Sequence, residues 1–369
     1  MNYFGQKKME HLKMRLSEED NLKILIPKSI TNELRGKIYP IENEYLKNNI
    51  ELLTSYSSKM TLTFEIFKFI RIIYKFKPDV VYIEEDPHSL LGFQACIFSK
   101  ILSFNSKIIF FIWDNLNNKP TFPKNIIKIL LTKISFCLSN AIVTGNIKAN
   151  ELLKKEKKYN KYSLVLPQVG VDIKNNFSCG FKFSKKPNDI YIAYAGRIVE
   201  QKGVENLVEA VKNLKNNHVK LILVGDGNLL EERGKDWAIG LGDKLIHIKT
   251  VEQIKMFNIL SQIDIFVLPS LTTKYWVEQF GHVIAQAMAA GCACIGSDSG
   301  AIPEVLASCG MIYHEGNVSE LEDKITKLVN DKKSRVSLGH QAKKYALDNY
   351  QHDAIAKKYL DVFIRVLDE

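Results

Sequence analysis

Short apolar runs alternate with stretches of helical length along almost the whole chain, and no other feature limits its fold so strongly. In the first half the runs lie at 22–27, 79–83, 106–112 and 141–144, with helical stretches such as 62–74 and 90–102 between them. In the second half they lie at 190–195, 220–224, 245–248, 265–268 and 294–295. Runs that are apolar on both faces belong to strands covered on both sides, and strands alternating with helices pair in parallel. At 369 residues the chain exceeds one small core, so the pattern predicts an α/β protein of two Rossmann-like domains. Periodicity lapses over 175–188, which ends in Pro187 and Asn188, and places the boundary near residue 180. The expected domains are 1–180 and 181–349, with a terminal helix at about 350–369 whose apolar positions include Ile355, Tyr359, Leu360, Phe363 and Ile364. Nothing repeats at a fixed period, which excludes a solenoid.

A hydrophobic content of 46% and a charged content of 25% are those of a globular protein, not a disordered one. Lys128 and Lys133 interrupt the most apolar stretch, 126–143, so no membrane-spanning helix is expected. Residues 1–20 carry Lys7, Lys8, Glu10, Glu18, Glu19 and Asp20 without an apolar core; they are not a secretory signal and read as a polar, poorly ordered extension. The six cysteines show no CxxC spacing, which argues against zinc and against a disulfide framework and for reduced thiols in the cytosol. Charge is uneven. Residues 1–180 hold 27 Lys or Arg against 17 Asp or Glu, whereas 181–369 hold 24 against 24, so the whole excess of +10 lies in the first half. Segments such as TFPKNIIKILLTKISF, and the cluster Lys154, Lys155, Lys157 and Lys158, suit peripheral contact with an anionic membrane, although a solvated face accounts for the same charges. The cations are interleaved with Ile and Leu, not with base-stacking aromatics, so nucleic acid is not an expected partner.

Two motifs carry chemistry. In EQFGHVIAQAMAAG, Glu278 precedes Phe280 and Gly281, and the run after them has small and apolar residues at helical spacing. Gly281 therefore opens a helix whose free N-terminus favours an anion, and the amides around Phe280, Gly281 and His282 are candidate phosphate donors. Gln286 follows two turns past Glu278; an ordinary buried helix with an accidental acidic cap is the plainer reading of the same residues. In IYIAYAGRIVEQKGVENLVEAV a buried strand ends at Gly196 and Arg197, with Lys202 and Gly203 just beyond. A bidentate Arg and a point-charge Lys at the carboxyl end of a strand suit two linked phosphates. Gly225 and Gly227 of VGDG shape a turn beside this place. Trp113, Asp114 and Asn115 end another strand, either orienting a second substrate or forming a core aromatic beside a turn; Glu85 and His88 end a third.

The ordered set AGRIVEQKG, VGDG, EQFGHVIAQAMAAGC and SDSGAIPEV resembles the C-terminal domain of a GT-B glycosyltransferase of family four. IEEDPHSLLGFQA, FFIWDN and LPQVGVD resemble its polysaccharide or cell-envelope branch, so the likeness runs over nearly all of the chain after about residue 21. The resemblance implies two Rossmann-like domains with parallel sheets facing across a cleft, and a last helix crossing back to the first domain. It implies a retaining glycosyltransferase that moves a sugar from a nucleotide-diphosphate sugar to a glycan or lipid-linked acceptor, in the cytoplasm at the inner face of the cell membrane. Arg197, Lys202 and Glu278 would be catalytic; Gly196, Gly225, Phe280, Gly281, His282 and Gln286 would line the donor; Trp113, Asp114, Asn115, Glu85 and His88 would lie on the acceptor side. Family members usually carry Glu where this chain has Gln286, so the ribose contact is expected to change. No acidic DxD triplet is present, and neither a metal nor another cofactor is expected. A nucleotide-sugar epimerase or hydrolase on the same frame, and a non-catalytic nucleotide-sugar-binding homologue, are the alternatives.

Overall fold

The computed structural model describes residues 3–28, 30–32, 36–38, 43–58, 61–113, 115, 124–155, 157–173, 183–184 and 186–369. The chain forms two compact units, one of Met1–Gly170 with Ile355–Glu369 and one of Val171–Ala354.

The first unit begins with a helix, α1 (Tyr3–Arg15), followed by β1 (Ile24–Pro27). This corrects the expectation of a poorly ordered extension at residues 1–20. Met9 and Leu12 pack with Ile24, Ile26, Leu46 and Ala356, so the helix is part of the core. Its most deeply buried polar group is Lys8, 1% exposed, whose ammonium pairs with Glu84 and stands 4.5 Å from the Tyr359 ring centroid and 5.0 Å from that of Tyr82. Stem packing and cation–π contact offset part of the cost of taking the charge out of water. Burial still lowers the lysine's pKa, against the opposing pull of Glu84.

A hairpin of β2 (Ile30–Asn32) and β3 (Gly36–Ile38) comes next. Then β4 (Ile50–Leu53) pairs in parallel with β1, and β5 (Ser55–Ser58) forms a hairpin with β6 (Thr61–Phe64). The helix expected over 62–74 therefore starts later, as α2 (Ile66–Phe76). TLTF alternates polar and apolar residues at the strand period, and β-branched Thr favours the extended backbone. Next come β7 (Val80–Ile83), α3 (Leu90–Leu102), β8 (Lys107–Ile112), α4 (Lys124–Leu138), β9 (Ala141–Thr144), α5 (Ile147–Lys155) and β10 (Tyr162–Val165). The last four strands make a parallel sheet in the order β10-β9-β8-β7. Successive residues serve opposite faces: Ile108, Phe110 and Ile112 pack with Phe136 on one side, Ile109 and Phe111 with Ile355 and Tyr359 on the other.

The second unit alternates β11 (Ile190–Ala195), α6 (Val204–Asn213), β12 (Val219–Val224), α7 (Asn228–Leu241), β13 (Leu245–Ile248), α8 (Gln253–Leu260), β14 (Ile265–Leu268), α9 (His282–Ala290), β15 (Ala293–Ser297), α10 (Ile302–Leu306), β16 (Met311–Tyr313), α11 (Val318–Asn330) and α12 (Lys332–Tyr350). All six strands are parallel, in the order β13-β12-β11-β14-β15-β16. The order reverses between β11 and β14, and the carboxyl ends at such a switch point are where open α/β sheets hold ligands. A final helix, α13 (His352–Asp368), leaves this unit and from Ile355 onward packs into the first, where its Ala356 meets Met9 and Leu12 of α1. Among the described residues no helix is long and apolar enough to cross a membrane.

Candidate functional site

At the switch point of the second unit, β11 is buried up to Ala195, and the chain then turns through Gly196 to an exposed Arg197. The Tyr194 hydroxyl donates to the Arg197 carbonyl at 2.7 Å and pins this turn to the strand beneath it. Burial pushes the Tyr194 phenol well above its usual range; the Glu278 charge adds to the effect and Arg197 opposes it, so both charges lie close to one hydroxyl. Gly225 follows β12 at φ 132°, where a Cβ would come 2.0 Å from the Gly196 carbonyl oxygen. The two strand ends thus run in backbone contact.

Lys202 closes a 3-10 turn, Glu200–Lys202, and Gly203 follows at φ 62°. A Cβ on Gly203 would sit 1.9 Å from the Pro269 carbonyl oxygen, so only glycine lets this turn press against the end of β14. The Leu271 N–H donates to the Gln201 carbonyl at 2.9 Å and fastens the two segments. Lys202 Nζ then reaches Glu278 Oε2 at 2.6 Å and stands 4.5 Å from the Trp276 ring centroid. Ser270 Oγ donates to the same carboxylate oxygen at 2.9 Å, and the Ser297 hydroxyl holds the Ser270 carbonyl at 2.6 Å. Glu278 is only 7% exposed, and its carbonyl accepts the Ala301 N–H at 3.0 Å from the SDSG loop after β15.

Three residues on, Gly281 opens α9 at φ 73° with no side-chain cap hydrogen bond. The positive end of that helix's dipole lies beside the Lys202–Glu278 pair. Phe280 is buried edge-on to Tyr350 at 5.6 Å, His282 is half-buried, and Gln286 is buried one turn further along α9. The structure thus gathers Gly196, Arg197, Lys202, Gly225, Glu278, Phe280, Gly281 and His282 at the carboxyl ends of neighbouring strands. Tyr194, Ser270 and Trp276 were not singled out in the sequence. The one signal for Trp276 is a large aromatic two residues before a buried carboxylate.

In the first unit, Glu85 and His88 follow β7, and Trp113 and Asn115 follow β8; Asp114 lies outside the described residues. Trp113 Nε1 donates to Gln168 Oε1 at 2.9 Å, Gln168 Nε2 donates to Glu84 Oε2 at 3.3 Å, and Glu84 holds Lys8. The indole also packs edge-on to Phe111 at 5.0 Å, so Trp113 is at once a core aromatic and the end of a polar chain that starts on α1. Asn115 is buried. Burial, with the charges of Asp86 and Glu84 adding, raises the Glu85 carboxyl to about 7. Lys8, Glu84 and Gln168 escaped sequence reasoning because their partners lie 76 and 84 positions away.

Residues 180–345 match the family model described as "Glycosyl transferases group 1". Among curated relatives, the capsular polysaccharide biosynthesis glycosyltransferase CapM of Staphylococcus aureus is 29% identical over 198 residues, covering 51% of this chain and 50% of that protein. The N,N'-diacetylbacillosaminyl-diphospho-undecaprenol alpha-1,3-N-acetylgalactosaminyltransferase of Campylobacter jejuni is 26% identical over 263 residues, covering 67% and 66%. The chain spans about half the length of the first curated relatives it matches, between 44% and 51%. Anabaena HepE, solved with UDP and glucose, aligns over 99% of this chain and 96% of its own with a TM-score of 0.65 at 13% identity. At that identity the likeness concerns the fold: two Rossmann-like domains with parallel sheets, as in GT-B glycosyltransferases.

Proposed function

We propose that this chain, whose residues 180–345 match the glycosyl transferases group 1 family, is a retaining glycosyltransferase using a nucleotide-diphosphate sugar. The acceptor is a polysaccharide or lipid-linked saccharide of cell-envelope glycan synthesis. The observation that carries this reading is Lys202 Nζ held 2.6 Å from Glu278 beside the start of α9, with Arg197 on the adjoining strand end. A diphosphate seated there is bound by Lys202, Arg197 and the α9 amides. The same groups stabilise the charge that grows on the diphosphate as the sugar departs. Side-chain cations do this work without a metal or another cofactor.

Glu278, anchored by Ser270 and Lys202, faces the sugar hydroxyls and fixes the anomeric carbon, while Gln286 takes the ribose contact as a neutral amide. Transfer with retention proceeds by attack from the face that the diphosphate leaves, so no protein nucleophile is required. Glu85, His88, Trp113, Asp114 and Asn115 serve the acceptor. UDP and glucose in the Anabaena neighbour favour a uridine donor, and the name of the Campylobacter relative favours a lipid-diphosphate acceptor.

A mass-spectrometric screen of nucleotide sugars, run with and without membrane extract as acceptor source, tests the reading. Slow nucleotide release that quickens when acceptor is added, with a glycosylated product, is expected. Equally fast release without acceptor indicates a hydrolase, and conversion of the sugar without release indicates an epimerase; either result overturns the proposal.

A further inference from the structure

The helices α2, α3 and α4 form one layer of the first unit, with α3 packed between the other two. Together they contain seven Lys or Arg and no Asp or Glu. A helix on a core buries one stripe, as α2 does with Phe69 and Ile73. Its opposite face is apolar as well: Phe67 is 86% exposed, and Tyr74 is exposed two turns further on. On α3, Ile101 is exposed. On α4 all of residues 126–130 are exposed although they read Ile-Ile-Lys-Ile-Leu, with the four aliphatic side chains between 49% and 63% accessible. Arg71, Lys75, Lys128 and Lys133 are exposed on the same helices and make no ion pair among the described residues. In a βαβ layer each crossover helix starts at the carboxyl edge of the sheet, so the start of α4 shares the edge that carries Glu85 and Trp113.

Glu51 pairs with Lys68 of α2, but the helices themselves carry no acid, and exposed aliphatic side chains set among their remaining cations match a surface that is apolar beneath and anionic on top. An acidic protein would meet the cations but has no general use for so many exposed aliphatics, and single-stranded nucleic acid calls for stacking aromatics. We infer that the outer surface of the α2–α3–α4 layer docks on an anionic lipid bilayer. Ile126, Ile127, Ile129 and Leu130 enter below the headgroups, and Lys128, Lys133 and Arg71 meet lipid phosphates. The lysine cluster at 154–158 is different. Lys154, Lys155, Lys157 and Lys158 are exposed, but Leu153 and Tyr159 beside them are buried, so that cluster offers charge without an inserting group. The inference does not depend on which sugar is transferred, or on any transfer at all.

Co-sedimentation of the full chain with phosphatidylglycerol–phosphatidylcholine vesicles and with pure phosphatidylcholine vesicles tests it. Binding to the anionic vesicles is expected to be at least about tenfold stronger. Ile127→Asp with Leu130→Asp should lower that binding by about tenfold or more, since both residues are exposed in the free protein, at 63% and 55%. Lys128→Gln with Lys133→Gln should weaken it severalfold and flatten its salt dependence, while Lys154→Gln with Lys155→Gln should leave it within about twofold. Thermal melting and UDP titration should be unchanged in all three variants. No binding to either vesicle, binding that Ile127→Asp with Leu130→Asp leaves intact, or a dimer in solution that this variant dissolves in place of vesicle binding would each overturn the inference.

Discussion

Lys202 owes its position to three neighbours: a carboxylate at 2.6 Å, an indole at 4.5 Å and the glycine that follows it. Lys202→Ala and Arg197→Ala are each expected to cost ~2 kcal/mol or more in transition-state stabilisation, a fall of roughly 30-fold in kcat/KM. Steady-state kinetics with the identified donor, beside a thermal melt, separates lost chemistry from lost stability, and near-normal turnover in both variants contradicts the roles given to them. Glu85 makes a prediction about pH. Its folded-state carboxyl titrates at about 7 against an ordinary 4.5, because burial penalises the anion. Below about pH 4.5 both states keep the proton; between 4.5 and about 7 only the folded state does, so stability falls as pH rises through that window. Glu85→Gln should match the parent near pH 4 and exceed it by up to about 3 kcal/mol near pH 8, as read by urea denaturation at each pH. An equal stability difference at both pH values would refute this.

At the scale of elements, the first helix is held by a charge as much as by apolar area. Lys8 contributes a buried stem, two ring contacts and the partner of Glu84. Lys8→Ala is expected to destabilise the chain by about 3 kcal/mol, through lost packing and an unpaired carboxylate, whereas Lys8→Met, which keeps the stem, should cost less. Equal losses in the two variants, measured in urea, would show that the stem contributes nothing. The turn that carries Lys202 is constrained by its backbone. Gly203→Ala must push the turn off Pro269, so a loss of more than about 1 kcal/mol in stability is expected, together with reduced UDP affinity. Unchanged UDP affinity in that variant would separate the turn from the site.

At the scale of the molecule, the two units share a single helix, since α13 leaves the second and completes the core of the first with Ile355, Tyr359, Val362 and Val366. Truncation before Ile355 should therefore unfold the first unit while the second still melts cooperatively; one unchanged transition would count against this division. The alternation of apolar runs was enough to indicate parallel sheets, because a strand covered on both faces has few polar positions and its period is visible within a few residues. Strands at 141–144, 190–195, 245–248 and 265–268 and the helix at 90–102 were legible with those bounds. The places of Glu278, Lys202 and Arg197 near strand ends and a helix start were legible as well, since local sequence defines those ends. The helix α1 was hidden, because beside Met9 and Leu12 its burial depends on Lys8 finding Glu84, 76 positions away. The start of α2 was misread, since TLTF is apolar enough for either period until its partner strand β5 decides. Local sequence by itself determined which segments are strand or helix and which charges stand at their ends, because those depend on neighbours a few bonds away. Tertiary structure alone decided that Ser270 and Trp276 brace Lys202 and Glu278, and that Lys8 reaches Trp113 through Glu84 and Gln168, because such contacts exist only once distant segments share one core.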